Sequence, residues 1–526
     1  MKRIIFLATI IFLHFIVLGC GTDMIDLVDD KDNLIKKSLI FFSLPLDGSP
    51  TNPSTGGSTN GTSIRQYGIT WTFDKEYQYG QFTNGDYWVI GPITIVGISP
   101  ASRSVSGVIR NGSEVNPIPN GGYQGYDNRM AYQSNLNVAY NVSPSNPLVL
   151  DYGSSLISTI SYQVAHRPQL TDAAVLTVLE SAPPEGSFRP PYCGSDKTIK
   201  FNKSQINYAL LPSLSLSGIT ANPNTKVTNL CATLKRVWVD HYQHLGNGTQ
   251  YSSPINNMPN YGREYSTMFG EASLLLMIDP TALQSRYGVT REDIAVGLIQ
   301  IGIDNYEVLK NGGWWLCGGG LNHGRKWTIL FAGIMLNDND MKNVGSFPFT
   351  PVTVPGNTYQ LTQPFHEDSQ LRYVDQTLVN DTHVPYWGVE SHDPYVGPDT
   401  RDAQKIPYTS SDIGMPEWGL GGNITLTRWN KYWGAIYRDC CTGNSWAGIA
   451  LSALICSAKT LYNNNIFFDY VDRYMATASK GDWTRSYSQF TEQMWDRYRS
   501  SYGTCYTGLS SNTRQYGSCS AAGVVK

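Results

Sequence analysis

Residues 310–327 carry side chains whose types and spacing suit chemistry on a ligand. The segment holds several glycines, two adjacent tryptophans (Trp314 and Trp315) and the sequence Asn-His-Gly-Arg-Lys, and then enters an apolar stretch that ends at Leu336. Glycine permits tight turns and close approach of a ligand, and the start of a helix offers free N–H groups and positive dipole. We therefore expect a cluster that binds a carboxylate or sulfate group of a sugar, formed by Asn322, His323, Arg325 and Lys326. The alternative is a helix cap in which His323 is a structural hydrogen-bonding residue.

A second group of candidate residues lies between positions 383 and 395, in a predicted loop. Loops on a rigid scaffold often hold binding residues, and the candidates here are Tyr386, Trp387, Glu390, His392 and Tyr395. The same loop fits glycoside hydrolysis, which needs two carboxylates on opposite sides of the scissile bond. Glu390 or Asp393 would be one of them, and Glu264 or Glu271 the other. A surface loop without function is the alternative.

Further aromatic and basic residues precede predicted helices. Arg263 begins one of them, and Trp429, Trp433 and Trp446 offer stacking surfaces for sugars, although Trp433 is better explained as core. The acids at 367 and 368 are predicted to form an exposed helix start.

His241 and His244 are one helical turn apart, a spacing that places two side chains on one helix face. A metal needs more ligands than these two, so a helix end facing solvent or the site is the favoured interpretation. We predict no metal and no cofactor.

The N-terminus predicts export and anchoring. Two basic residues precede an apolar run that ends in Val-Leu-Gly-Cys at Cys20, a layout typical of a secretory signal and too short for a spanning helix. It resembles the bacterial lipobox, which implies cleavage after residue 19 and acylation of Cys20; an ordinary signal with an incidental Cys20 is the alternative. We expect a protein of the cell envelope, lipid-anchored in the outer membrane and facing out of the cytoplasm.

Composition restricts the functional classes. The formal net charge is -3, which does not favour nucleic acid as a partner. The 33 tyrosines and 13 tryptophans, with only 15% charged residues, suit loops that contact partly polar ligands such as sugars. An extracellular β-rich core with glycine turns explains the same composition.

The pattern of apolar residues changes along the chain. A signal peptide (1–19) and a Gly/Ser/Thr-rich tether (20–65) precede short alternating runs, which predict an antiparallel β-sandwich over 66–182. A Pro-rich linker (183–200) leads to a helical domain over 201–503, and a C-terminal tail covers 504–526. Helices are predicted at 230–245, 264–278, 291–309, 324–336, 445–462, 467–478 and 489–499.

Eight cysteines remain beside Cys20, and an even number in an exported chain favours disulfides. Adjacent Cys440 and Cys441 are expected to bond to different partners, for example Cys317 and Cys456, rather than to each other. Cys505 and Cys519 are expected to hold the tail, and no thiol is expected to be free.

The predicted layout resembles that of the polysaccharide lyases of the α/α toroid class, such as alginate lyases and heparinases. It consists of an exported sandwich, a Pro-rich joint and helices with polar, aromatic loops. The stretches 261–264, 318–326 and 468–474 look like segments of secreted bacterial proteins with this layout. The resemblance implies an N-terminal β-sandwich, an (α/α) toroid-like domain and cleavage of uronate-containing chains by β-elimination. In that class Asn, Arg or His binds the carboxylate, His or Tyr takes the C5 proton, and Tyr often protonates the leaving oxygen.

The expected function is therefore a lyase acting on an acidic polysaccharide. Its candidate catalytic residues are Asn322, His323, Arg325, Tyr386, Glu390 and His392, and Tyr265, Tyr386 or Tyr395 would be the tyrosine partner. Its candidate substrate-binding residues are Arg263, Trp314, Trp315, Lys326, Trp387, Tyr395 and Trp446. A glycoside hydrolase on the same scaffold and a non-catalytic glycan-binding lipoprotein are the alternatives.

Overall fold

The computed structural model describes residues 57–129, 131–163, 169–241, 253–259, 261–315, 320–353, 360–380, 408–418 and 440–519. All of them belong to one compact unit formed by 52–384 and 406–526. Several residues singled out above lie outside the described residues, namely Cys20, His244, Cys317, Tyr386, Trp387, Glu390, His392, Asp393, Tyr395, Trp429 and Trp433.

Strands occupy the first part of the described chain, as the alternating pattern predicts. They are β1 (Thr59–Gln66), β2 (Ile69–Gln81), β3 (Tyr87–Ile90), β4 (Ile93–Ser99), β5 (Arg103–Val105), β6 (Val108–Arg110), β7 (Ser113–Val115), β8 (Leu148–Leu150), β9 (Ser154–Ser161) and β10 (Leu170–Leu179). Short pairs follow later in the chain: β11 (Val352–Thr353) with β12 (Gln360–Leu361), β13 (Leu371–Tyr373) with β14 (Pro416–Trp418), and β15 (Cys505–Ser510) with β16 (Thr513–Gly517).

Eight of these strands form one mixed sheet. The order is β7-β9-β10-β3-β2-β4-β8, with β1 paired to β2. β10 and β3 run parallel, and the other described pairs of the sheet are antiparallel. Alternate residues of β2 and β4 point into a core whose fully buried members include Trp71, Val89 and Ile95.

Helices make up most of the described chain after residue 226. They are α1 (Val227–Lys235), α2 (Gly262–Leu276), α3 (Pro280–Tyr287), α4 (Arg291–Lys310), α5 (Arg325–Leu336), α6 (Asn339–Lys342), α7 (His366–Ser369), α8 (Gln376–Asn380), α9 (Gly443–Ile455), α10 (Lys459–Tyr462), α11 (Asn465–Thr477) and α12 (Gln489–Tyr498). The protein is therefore a mixed α and β structure in which the large sheet precedes the helices. No helix in the described ranges is long and apolar enough to cross a bilayer.

Helix boundaries follow the sequence where capping is local and depart from it where tertiary contacts intervene. α4 begins at Arg291 as predicted, with a reciprocal capping box between Thr290 and Asp293. The predicted helix 230–245 is wrong over 236–241, where Arg236 leaves the helix and pairs with Asp172 at 2.9 Å, and residues 242–245 lie outside the described residues. The predicted helix 445–462 is also wrong as one element, since Ser457 adopts a φ of 54° between α9 and α10.

The Pro-rich segment is packed inside the molecule. Arg189 is 1% exposed and binds Asp86 beside β3 (2.7 Å) and Asp304 in α4 (2.5 Å). The Gln300 side chain accepts a hydrogen bond from the Arg189 N–H and donates one to its carbonyl oxygen, both at 3.1 Å. Residues 188–194 therefore connect the sheet to the helices through buried polar contacts.

The disulfides differ in part from the expectation. Cys505 and Cys519 are bonded, which confirms that prediction, and their bond joins the start of β15 to the chain after β16. Cys440 and Cys441 bond to each other, so the prediction of separate partners is wrong. The expectation of no free thiol is also wrong, because Cys193, Cys231 and Cys456 are free, and the first two are buried.

We predict that Arg189→Met lowers the free energy of unfolding by about 3–5 kcal/mol, because it leaves two buried carboxylates without their cation. Urea unfolding followed by circular dichroism measures the change. Lys203→Met is the control, since its pair with Glu292 is exposed and is worth less than about 1 kcal/mol. Equal losses in the two variants would contradict the role given to the buried pairs.

Candidate functional site

The candidate run around His323 forms a sharp turn into α5. Asn322 has a φ of 55° and Gly324, the N-cap of α5, has a φ of 87°. Left-handed conformations at both positions suit Asn and Gly. Asn322, His323 and Arg325 are each 0% exposed, and Lys326 is 1% exposed. These four residues lie inside the protein rather than at the expected open mouth, and Arg325 and Lys326 have different partners, Asp240 and Asp368 respectively.

His323 is held by a residue from the first turn of α9. The indole Nε1–H of Trp446 donates a hydrogen bond to His323 Nδ1 at 2.8 Å. Since Nδ1 accepts, a neutral His323 carries its proton on Nε2. Trp446 is 1% exposed and packs against Phe467 and Tyr470, so its ring belongs to an aromatic cluster.

Arg325 lies between a carboxylate and a tyrosine ring. Its guanidinium donates to both carboxylate oxygens of Asp240, at 2.9 and 3.3 Å, and its Cζ lies 3.9 Å from the ring centroid of Tyr265. Burial raises the pKa of the Tyr265 hydroxyl, which keeps its proton at neutral pH. Spacing in the sequence left three tyrosines open as the partner; of these, Tyr265 lies in the described part of the chain and contacts Arg325.

His241 lies next to Asp240 and faces the sheet. Its Nε2 is 3.4 Å from Glu114 Oε2 and 3.5 Å from the Tyr126 hydroxyl. Of the two orientations expected for His241, the one towards solvent is wrong, because this residue is 1% exposed and lies beyond α1, and the one towards the site stays a prediction. Sequence reasoning missed Glu114, Tyr126 and Asp240. No local spacing identifies them, because they come from a strand, a loop and an extended segment.

A carboxylate cluster lies on the other side of α5. Lys326 Nζ is 2.7 Å from Asp368, which also accepts from Asn464 at 2.6 Å. The neighbouring Glu367 accepts from the Tyr462 hydroxyl at 3.2 Å. Burial raises the pKa of Glu367 to about 7, with Asp368 adding to the shift. The prediction of an exposed helix start is therefore wrong for Glu367, which is 2% exposed because α7 packs over Tyr462.

The remaining described candidates are also packed inside. Trp315 is 0% exposed and stacks on Phe365 with centroids 5.6 Å apart, and Trp314 packs against Leu361. Arg263 donates to Glu264 at 2.6 Å and to the carbonyl oxygen of Cys440 at 2.8 Å. Their roles in binding a sugar stay predictions.

The basic residues of this region are charge-balanced. Arg263, Arg325 and Lys326 pair with Glu264, Asp240 and Asp368 respectively. A pair of opposite charges attracts an anion far less than a lone cation does. The described site therefore has little net positive charge to attract a polyanion.

Glu271, a candidate second carboxylate for hydrolysis, is engaged by structural donors. It accepts from the Ser488 hydroxyl at 2.5 Å and from the Asn224 N–H at 2.7 Å, which ties α2 to the start of α12. Burial raises the pKa of Glu271 to about 7. These contacts give it a structural role.

Metal ligation is not apparent in the described part of the chain, where no group of three His, Cys, Asp or Glu side chains is placed to hold an ion.

Comparison with models of known protein families, with curated proteins and with solved structures finds no significant match to this chain.

We predict that stability falls as pH rises from about 4.5 to 7, in part through Glu271. Between its unfolded pKa of about 4.3 and its folded pKa of about 7, the folded protein holds a proton that the unfolded chain has lost. Glu271→Gln should remove up to about 3 kcal/mol of this fall, measured by urea unfolding at several pH values. The exposed Glu185→Gln is the control, and an unchanged pH slope in Glu271→Gln would contradict the assignment.

Proposed function

We propose that the protein is a carbohydrate-active enzyme of the bacterial cell envelope, anchored to the outer membrane by a lipid on Cys20. The leading activity is that of a polysaccharide lyase acting on a uronate-containing glycan. The proposed architecture is a β-sandwich followed by an (α/α) toroid. The described chain supports this at the level of fold class, with a mixed sheet that precedes the helices.

The contact between Tyr265, Arg325 and Asp240, with His241 adjacent in the chain, carries the lyase proposal. Elimination needs a base for the C5 proton, a cation to stabilise the developing enolate and an acid for the leaving oxygen. His241 is the candidate base and Arg325 the candidate cation, while His323, whose Nδ1 accepts from Trp446, can donate from Nε2–H to the substrate carboxylate. Tyr265 is the candidate acid, because its phenol is protonated at neutral pH and its ring lies against the Arg325 guanidinium.

In this step the base removes the C5 proton, the C4–O bond breaks and a C4=C5 double bond forms, while Tyr265 protonates the departing oxygen. Asp240 accepts hydrogen bonds from Arg325 on both carboxylate oxygens, and this bidentate contact fixes the plane of the Arg325 guanidinium. These groups are at most 1% exposed, so the proposal requires an opening through which the glycan reaches them. In that buried setting the low dielectric makes each charge act more strongly than it would in water.

We predict that the purified protein raises the ultraviolet absorbance of alginate, pectate, glucuronan or a glycosaminoglycan through the new double bond. Tyr265→Phe should lower kcat by about 10²-fold or more, the usual contribution of a general acid. The matched control is Tyr287→Phe, a tyrosine of α3 that lies beside Arg286 instead. No absorbance change on any uronate polymer would overturn the lyase activity.

A hydrolase is the second candidate, and two observations favour it. The basic residues are already paired with carboxylates, which suits a neutral glycan, and Glu367 is a buried acid with a pKa of about 7. A carboxyl group protonated near neutral pH is the general acid that glycosidases require.

On this alternative, the protein releases reducing ends from a neutral polysaccharide without forming a double bond. Glu367→Gln should lower that rate by about 10²-fold or more, because glutamine cannot donate the proton. Glu271→Gln is the control, since this acid has a similar pKa but is held by Ser488 and Asn224. Binding of a glycan with neither product would indicate the non-catalytic lipoprotein.

A further inference from the structure

The bond between Cys440 and Cys441 lies against the backbone that leads to His323. A Cβ atom added to Gly320 would lie 2.5 Å from the Cys441 Cβ and 2.8 Å from the Cys441 carbonyl oxygen. The same position would lie 2.4 Å from the Tyr261 hydroxyl. Gly320 therefore fits between the disulfide turn and Tyr261 with no space to spare.

The start of α2 closes the other side of this backbone. A Cβ atom on Gly262 would lie 2.3 Å from the Gly320 carbonyl oxygen and 2.8 Å from the Asn322 nitrogen. Arg263, the next residue, donates to the Cys440 carbonyl oxygen at 2.8 Å and has its guanidinium 4.0 Å from the Tyr487 ring centroid. The disulfide turn, α2 and residues 320–322 are thus in direct main-chain contact.

The disulfide also precedes the helix that holds His323. α9 begins at Gly443, two residues after Cys441, and its first turn carries Trp446, the donor to His323 Nδ1. His323 is thereby fixed from two directions, through its own backbone and through Trp446. Both directions lead to the same pair of bonded cysteines.

We propose that the Cys440–Cys441 disulfide is a positioning element that sets the orientation of His323, so that its reduction misplaces this imidazole. Its kinetic consequence rests on the proposed function, but the displacement itself does not. A dithiol reduces the bond by thiol–disulfide exchange, in which each cysteine sulfur gains one electron and one proton and the dithiol is oxidised to its own disulfide. Two unbonded sulfurs need more room than a bonded pair, and the contact with Gly320 provides none.

The bond is reachable, since Cys440 is partly exposed while Cys441 is 2% exposed. The test uses the purified full-length protein labelled with ¹⁵N-tryptophan, in which Trp446→Phe identifies the indole N–H signal of Trp446. Treatment with dithiothreitol should shift or broaden this signal. Where activity is found, kcat should fall by about 10-fold or more with KM within about twofold, as expected for a misplaced group.

The Trp446 signal of Cys440→Ser/Cys441→Ser should match that of the reduced protein and should not change with dithiothreitol. If this variant fails to fold, dithiothreitol treatment of Cys505→Ser/Cys519→Ser isolates the same bond. Cys505→Ser/Cys519→Ser is the matched control and should keep the oxidised Trp446 signal. An unchanged Trp446 signal in fully reduced protein overturns the proposal, as does the same shift in the control. A shifted signal with unchanged kcat supports the displacement and overturns the part given to His323 in the proposed function. Absence of glycan activity overturns only the proposed function, because the spectral result stands by itself.

Discussion

The pairing of Arg189 with Asp86 and Asp304 is the contact through which the sheet and the helices are fixed to each other. All three side chains are buried, at 1%, 0% and 2% exposure. A buried ion is tolerated only when its partners are correctly placed, so the end of the sheet, the Pro-rich segment and α4 must assume one arrangement together. Burial raises the pKa of Asp304, and the charge of Arg189 opposes that rise. α4 in turn packs on α5, whose first residue is Arg325, so the candidate site inherits its position from this contact.

Charge pairing then shapes what the site can attract. Arg263, Arg325 and Lys326 each have a carboxylate partner, and Arg325 and Asp240 are both 0% exposed as side chains. An arginine in this setting orients a tyrosine and a carboxylate more effectively than it attracts a distant polymer, because its field is largely cancelled. An acidic glycan would have to compete with Asp240 for Arg325, whereas a neutral glycan would not. The electrostatics therefore bear on the substrate class as directly as the residue types do.

The sequence predicts those features that local patterns control. Alternation places β2, β3, β4 and β9, the Thr290 capping box begins α4, and the Cys505–Cys519 bond spans a short hairpin. Contacts between distant segments carry no such signal: Trp446 meets His323 across 123 positions and Arg325 meets Asp240 across 85. Glu367 illustrates the same limit, since acids in a first helical turn usually face solvent and only the packing of α7 on Tyr462 buries this one. Adjacent cysteines were expected to bond apart on local geometry, but the turn before α9 joins them.

Main-chain contact, more than side-chain packing, determines how closely the candidate site is built. α2 crosses α9 where Gly270 meets Gly448, and a Cβ atom on Gly270 would lie 2.8 Å from the Gly448 Cα. The start of the same helix meets residues 320–322 at Gly262. Any side chain at these positions would push whole helices apart, whereas a change at Tyr265 or Glu367 alters a functional group within an unchanged frame. The distinction matters for mechanism, because the hydroxyl of Tyr265 or the carboxyl of Glu367 can be changed while the glycine contacts that hold α2 against α9 are kept.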